Sequence, residues 1–459
     1  MRIVKTCPRY KYPISYKPKF QGWQKDDYEV ADVLYIEPMT AKELDETKQQ
    51  NVFDNPNDYY IEEKFDGTRG VLHFYDHYTR VFSRRVSKKS DWLTENTDSV
   101  PHIRDIDCPE LAGTVIDGEM FIPNRPFKDV AAIMNCTYDK AIARQEELGW
   151  VVFHAFDVLY YKGECVEDKS LKERKKILAE VFAALFEHFD TYDLPVKSVF
   201  FYKGSVGLPF TQDMIDLCES LKDKSQYEEL LRCYSSAGNK KYISLTYKAY
   251  YEYIVARGGE GVMVKPIDGK YYHKRGWEYS KIKKFLTRDV IVVGFTEPTR
   301  EYDGKTPTPE EWNYWEDECG FFYDTSVPEE RSFVQKNLHS CVPITRYHYN
   351  NWVGNIEYGV VITDDEIAKL PKDKKFDIRD MNISDTPQKV KVVVVGDCAG
   401  FDDEMRDYFT NNIDTMIGSV IEIKANEQFK DTGKLRHPRF LRLREDKSAL
   451  SCTWKDHFG

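Results

Sequence analysis

No stretch of this sequence stays apolar for anything near the roughly 20 residues that a bilayer-spanning helix needs. Its longest β-branched run, residues 392–395, has only the length of a short strand. Membrane insertion is therefore not expected. The first residues are basic but lack the apolar core of about 7 to 15 residues that marks a secretory leader, so an intracellular setting is expected. The ten cysteines (Cys7, Cys108, Cys136, Cys165, Cys218, Cys233, Cys319, Cys341, Cys398, Cys452) are scattered without a CxxC pair. That spacing removes the usual zinc and dithiol signatures and leaves reduced, mostly buried thiols as the expectation. Internal repeats and low-complexity tracts are absent. So is a phosphate-cradling GxxxxGK[ST] loop, because Thr299 stands where the first glycine before Gly304-Lys305-Thr306 belongs.

Acids outnumber bases, 77 to 66, and a net charge of -11 argues against a chain that coats nucleic acid nonspecifically. The charge is unevenly spread. Residues 1–25 hold seven basic side chains (Arg2, Lys5, Arg9, Lys11, Lys17, Lys19, Lys25) and no acid, interleaved with Tyr10, Tyr12, Tyr16, Phe20 and Trp23. Such an arm suits phosphate contact, or alternatively packing of its rings on the next domain with the lysines in solvent. A hydrophobic content of 41% over 459 residues is enough for two or three packed domains.

Alternation at residues 59–63, 71–75 and 79–83 predicts short antiparallel strands joined by Asp-Gly and Asp-His turns. From about 165 to 259 the pattern turns helical. Ser170 and Glu173 form a capping box, and Leu171, Leu178, Val181, Phe182 and Leu185 recur at helical spacing. A helix over 246–257 should stop at Gly258-Gly259, before a strand over 262–265 with Glu260 at its mouth. A second β-rich set follows at 290–295, 358–363, 389–395, 419–425 and 440–444, for which a small barrel is expected. Residues 296–354, with Pro307, Pro309, Trp312, Trp315 and many acids, are too long for an ordinary loop and read as an insertion.

The densest chemical signal is Glu62-Glu63-Lys64-Phe65-Asp66-Gly67-Thr68-Arg69. Alone it fits a solvated strand and turn equally well. It gains meaning from the ordered segments that follow: Ser83-Arg84, Asp117-Gly118-Glu119, Phe156-Asp157, Glu260-Gly261-Val262-Met263-Val264-Lys265 and Lys281-Ile282-Lys283. Together these closely resemble the nucleotidyltransferase motifs shared by ATP-dependent DNA ligases, RNA ligases and mRNA capping enzymes. The stretch from Arg436-His437-Pro438-Arg439 to Arg444-Glu445-Asp446-Lys447 resembles the last ligase motif, and Pro38-Met39 resembles the pair that opens the ligase catalytic domain.

That resemblance implies an α+β fold. An arm over 1–35 would precede a nucleotidyltransferase domain of ATP-grasp-like antiparallel sheets and helices over 36–286. A carboxy-terminal OB-fold β-barrel over 287–459 would carry the insertion at about 296–354. It also implies an ATP-dependent DNA ligase, acting as a monomer on nicked double-stranded DNA, with ATP and Mg2+ (or Mn2+). Lys64 would become the lysyl-AMP, Glu62 would read the adenine amino group and Phe156 would stack on the base. Arg69 and Glu119 would hold the ribose. Glu260, with Glu119 as helper, would bind the metal. Lys281 and Lys283 would grip the α-phosphate, and Arg84 the nick's 5′-phosphate or that of AMP. Arg444, Asp446 and Lys447 would orient pyrophosphate. A lysine attacks only as the neutral amine, against an ordinary pKa of about 10.4, so the nearby positive charge of Arg69, Lys265, Lys281 and Lys283 suits this chemistry twice over.

Blander readings stand beside these. Phe156 lies in the apolar run 151–159 and fits core packing; Lys281, Lys283 and Lys284 fit a solvated strand edge. Among functions, many RNA ligases lack a carboxy-terminal OB-fold, and capping guanylyltransferases usually carry a shorter last motif. A nonenzymatic OB-fold binder would need no nucleophile. With about 60 residues ahead of Lys64, a compact viral or bacterial type is expected.

Overall fold

Strand Thr68–Phe74 turns back through Asp76 and His77 into Thr79–Val86, pairing Gly70 with Ser83 and Phe74 with Thr79. The strand starts earlier than alternation alone suggests, so Arg69 stands inside the sheet rather than in the turn before it. In the computed structural model the chain is described over residues 2–7, 31–87, 92–190, 193–221, 224–238, 240–302, 304, 307–371, 373–383, 386–428 and 433–458. Most of the basic arm, residues 8–30, lies outside the described residues, as do Lys305 and Thr306. The chain divides into two units, Met1–Lys284 and Phe285–Gly459.

Among the described residues the first unit is built on two large sheets, with the pair Val206–Pro209 and Tyr242–Leu245 beside them. One runs in the order Glu164–Cys165, Val152–Tyr161, Val115–Phe121, Thr68–Phe74, Thr79–Val86, Leu93–Glu95, Arg2–Cys7, Ala31–Tyr35, with Val196–Ser198 added parallel to Val152–Tyr161. The other runs Phe201–Lys203, Tyr59–Glu63, Gly261–Pro266, Arg275–Lys283, Thr40–Glu43. Between them pack Ile36, Met39, Val71, Val115, Leu159, Tyr271 and Tyr279, a shared core of about 1.5–3 kcal/mol per large apolar side chain.

Helices cover the outer faces. Helix Leu171–His188 begins at the Ser170–Glu173 capping box and buries Leu171, Leu178, Val181, Phe182 and Leu185. Helix Tyr247–Ala256, capped by the Thr246 hydroxyl on the Ala249 amide, packs with Gln212–Ser220 and Glu228–Ala237 over Ile61, Val262, Val264 and Ile282. It ends, as the glycine pair predicts, with Gly258 at φ +88.

In the second unit the strands run Asp377–Ile383, Thr386–Cys398, Ile356–Val361, Leu286–Phe295, Val420–Ala425, Arg439–Leu443. This corrects the expected barrel: they form one sheet. Asp377–Ile383 pairs along most of the free edge of Thr386–Cys398, so among the described residues the last strand reaches back to that region through one parallel bridge, Ala399 to Arg439. The segment 296–354 forms a small sheet of its own, Phe322–Asp324, Tyr314–Asp317, Cys341–Pro343, beside helix Pro328–Lys336, with Trp315, Val334 and Cys341 at its centre. Among the described residues no helix is long and apolar enough to cross a membrane.

Candidate active site

Lys64 leaves the strand Tyr59–Glu63 where the backbone must turn sharply, its amide still held by the Gly261 carbonyl at 3.0 Å. The turn is possible because position 67 has no side chain: a Cβ there would sit 2.3 Å from the Met120 carbonyl oxygen. The Lys64 ammonium pairs with Glu260, whose other oxygen lies 3.0 Å from the Lys283 amine. Glu260 is aimed by its neighbour Gly261, at φ +139, where a Cβ would come within 2.1 Å of the Ile282 carbonyl oxygen. Burial alone would raise the Glu260 pKa, but Lys64 and then Lys283 outweigh it and hold the carboxylate ionised.

Deeper in lies a second carboxylate. Glu62 is 1% exposed and sits between Lys175 and Lys265, the latter at 2.6 Å. Burial opposes its ionisation, yet Lys175 and Lys265 together keep its pKa below the ordinary carboxylate value. Lys265 is itself lowered to about 8, chiefly by burial. Its amine lies 4.5 Å from the centre of the Phe156 ring and 4.3 Å from that of Tyr279.

Arg69 covers the Phe156 ring at 4.5 Å and forms a bidentate pair with Asp117, both bonds 2.5 Å. The Tyr271 hydroxyl donates to the same Asp117 at 2.7 Å and accepts from the Met39 amide at 2.8 Å, so the Pro38-Met39 entry is tied to Arg69 through one buried aspartate. Asp157, one residue past Phe156, is bound by Arg174 at 2.8 and 2.9 Å and by the Tyr279 hydroxyl. Glu119 is pushed up to about 7 by burial, against Arg69 and Lys64. Burial and the neighbouring cations Arg85 and Arg69 lower Arg84; burial and Lys283 lower Lys281.

Glu62, Lys64, Arg69, Arg84, Glu119, Phe156, Lys265, Lys281 and Lys283 line one cleft of about 910 Å3. That volume suits a nucleotide-sized ligand. Glu260 joins them through its pairs with Lys64 and Lys283. Phe156 is half-buried: it packs against the core between the two sheets and also lines this cleft, while the strand of Lys281 and Lys283 has partners on both edges, so it is no solvated edge. Arg444, Asp446 and Lys447 belong to the other unit. There Arg444 bonds Asp289 at 2.8 Å and Asp446 at 2.9 Å, Lys447 lies 3.5 Å from Asp289, and the Arg444 hydrogen bond draws Asp446 down to about 2.

Sequence reasoning did not single out Lys175, Arg174, Tyr271 or Tyr279. A signal existed for the first two. Arg174 and Lys175 fall between Leu171 and Leu178 on the apolar stripe of their helix, and charges on such a stripe call for buried partners.

Residues 38–196 match the family model described as an ATP dependent DNA ligase domain. Over 265 residues the chain is 23% identical to the SPbeta prophage-derived DNA ligase-like protein LigB of Bacillus subtilis (strain 168), covering 57% of this chain and 73% of that protein. Over 421 residues it is 24% identical to a DNA ligase of Methanococcus vannielii, covering 90% of this chain and 57% of the relative. The chain thus spans about half the length of such archaeal relatives. Among solved structures, the ATP-dependent DNA ligase from bacteriophage T7 in complex with ATP is 15% identical, with a TM-score of 0.35 over 89% of this chain and 98% of that one.

Proposed function

We propose that this chain, whose residues 38–196 belong to the ATP-dependent DNA ligase domain family, seals nicks in duplex DNA through an AMP group carried on Lys64. The observation that carries the reading is the Lys64 amine, paired to Glu260 beside Lys283, in a cleft that also contains a buried carboxylate and a cation-covered ring. In the first step the amine attacks the α-phosphorus of ATP; an N–P bond forms and the bond to pyrophosphate breaks. AMP then passes to the 5′-phosphate of the nick, and the 3′-hydroxyl displaces it. Phosphoryl transfer of this kind rests on positioning and charge stabilisation.

Glu62 accepts from the adenine amino group and Phe156 stacks on the base. Arg69 and Glu119 hold the ribose, Lys281 and Lys283 the α-phosphate with Lys265 adding positive charge, and Arg84 contacts the 5′-phosphate or that of AMP. Lys64 acts electrostatically on both Glu260 and Glu119, and two carboxylates at one phosphate site fit a magnesium or manganese ion, which prefers one or two carboxylates plus phosphate oxygens and water. Such an ion would supply charge neutralisation at the phosphates. Arg444, Asp446 and Lys447 orient pyrophosphate for the first step, which requires a domain closure and a later opening onto DNA.

The domain plan is an arm over 1–35, whose ends Arg2–Cys7 and Ala31–Tyr35 join the first sheet, the adenylyltransferase over 36–286, and over 287–459 an OB-type fold, open rather than closed into a barrel, that carries the insertion. The OB-fold reading is supported by the antiparallel run through Leu286–Phe295, Ile356–Val361 and Thr386–Cys398. Helix Asp403–Asn411 then precedes Val420–Ala425, and the Ala399–Arg439 bridge comes last. A monomer working inside the cell completes the proposal.

The test is incubation with α-labelled ATP, then with α-labelled GTP, followed by nicked DNA and nicked RNA. Covalent label from ATP that is discharged by nicked DNA, with sealing, is the expected result. Label from GTP alone, or discharge only onto RNA, would replace this reading with one of the sister activities.

A further inference from the structure

Glu62 and Phe156 come from different sheets, yet one buried ammonium joins them. Lys175, on helix Leu171–His188, donates to Glu62 Oε1 and, at 2.9 Å, to the Phe156 carbonyl oxygen. It is 3% exposed, so water does not compete for these bonds. The helix that carries it is fixed at its start. The Leu171 and Lys172 amides donate to the Gly269 and Ile267 carbonyls at 2.9 Å, and the adjacent Arg174 grips Asp157.

A carboxylate offers about four lone-pair sites and no donor. Lys175 occupies one side of Glu62 and Lys265 faces the other, which leaves acceptor capacity but nothing to give. An adenine amino group satisfies such an acceptor; the 6-oxo group of guanine is repelled by it.

We propose that Lys175 is a positioning residue for purine recognition. By tying the Glu62 carboxylate and the Phe156 backbone to one ammonium, it fixes the edge-reading and ring-stacking surfaces relative to each other and so sets the preference for adenine over guanine. This rests on the adenylyltransferase reading of the cleft. Lys175 touches no reacting atom, so its loss should weaken nucleotide binding and selectivity while sparing the transfer step.

Single-turnover labelling of Lys64 with α-labelled ATP and GTP tests this in the full chain, comparing wild type with K175M and K175R and recording each melting temperature. For K175M the expected result is about a tenfold or greater rise in the ATP concentration giving half-maximal rate, less than about a threefold change in the maximal rate, and about a tenfold fall in the ATP-over-GTP preference. K175R keeps the charge but cannot keep both bonds at their present geometry, and should fall between the two. Wild-type concentration dependence and preference in a folded K175M would overturn the proposal. Should K175M not fold, K175R decides: wild-type behaviour there would reduce Lys175 to a charge needed for folding. A wild-type protein that takes no label from ATP would sink the function reading itself, a result separable from either variant.

Discussion

An amine attacks phosphorus only as the free base, so Lys64 must leave its pair with Glu260 and give up a proton first. K64A should therefore take no label from ATP at any concentration. Its melting temperature should stay close to that of wild type, because the side chain is partly exposed and packs in none of the apolar cores. Lys265 gives a pH test. Its folded pKa of about 8 lies below the ordinary 10.5, with burial the main cause. Below pH 8 both states hold the proton and the folded state bears the full cost; between about 8 and 10.5 only the unfolded state holds it, so stability rises with pH. The unfolding free energy of wild type minus that of K265M should climb across this window, by up to about 3 kcal/mol. A difference that is flat from pH 8 to 10 would show that Lys265 titrates normally.

The strand Tyr59–Glu63 was legible to the residue because alternation and an Asp-Gly turn bracket it, and the start of helix Leu171–His188 because its capping box is local. The roles of Arg174 and Lys175 were not, since the partners that make their burial tolerable, Asp157 and Glu62, arrive from two other strands that no local window contains. The barrel expectation failed for a similar reason. Asp377–Ile383 carries Asp377, Arg379 and Asp380, too much charge to read as a strand, yet it takes up the edge on which closure depends. At this scale Gly261 is the most exacting position: with φ +139 and an Ile282 oxygen where a Cβ would stand, G261A should cost about 1–3 kcal/mol. It should also disturb the pairing of Gly261–Pro266 with Arg275–Lys283, separating Glu260 from Lys283 and slowing labelling even at temperatures where the protein stays folded. A G261A protein with wild-type melting and labelling would refute this account of the turn.

The motif residues are divided between two units of the chain, with Lys64 in one and Arg444, Asp446 and Lys447 in the other. If the latter act only on pyrophosphate departure, D446A and K447A should fail to take label from ATP yet seal a nick that already carries 5′-AMP. Equal loss in both assays would assign them to DNA binding or folding. The state of the cysteines makes any movement between units observable. Among the described residues Cys165, in the first unit, and Cys319, in the second, are exposed, whereas Cys108, Cys218, Cys233, Cys341, Cys398 and Cys452 are buried. Burial raises the thiols of Cys108 and Cys452 to about 11 and that of Cys398 to about 12, which leaves them almost no thiolate at neutral pH. With Cys7 and the half-buried Cys136 replaced by serine, brief maleimide treatment should thus place one dye on each unit, at Cys165 and Cys319. Energy transfer between the two dyes, followed as ATP and then nicked DNA are added, would read closure and reopening directly.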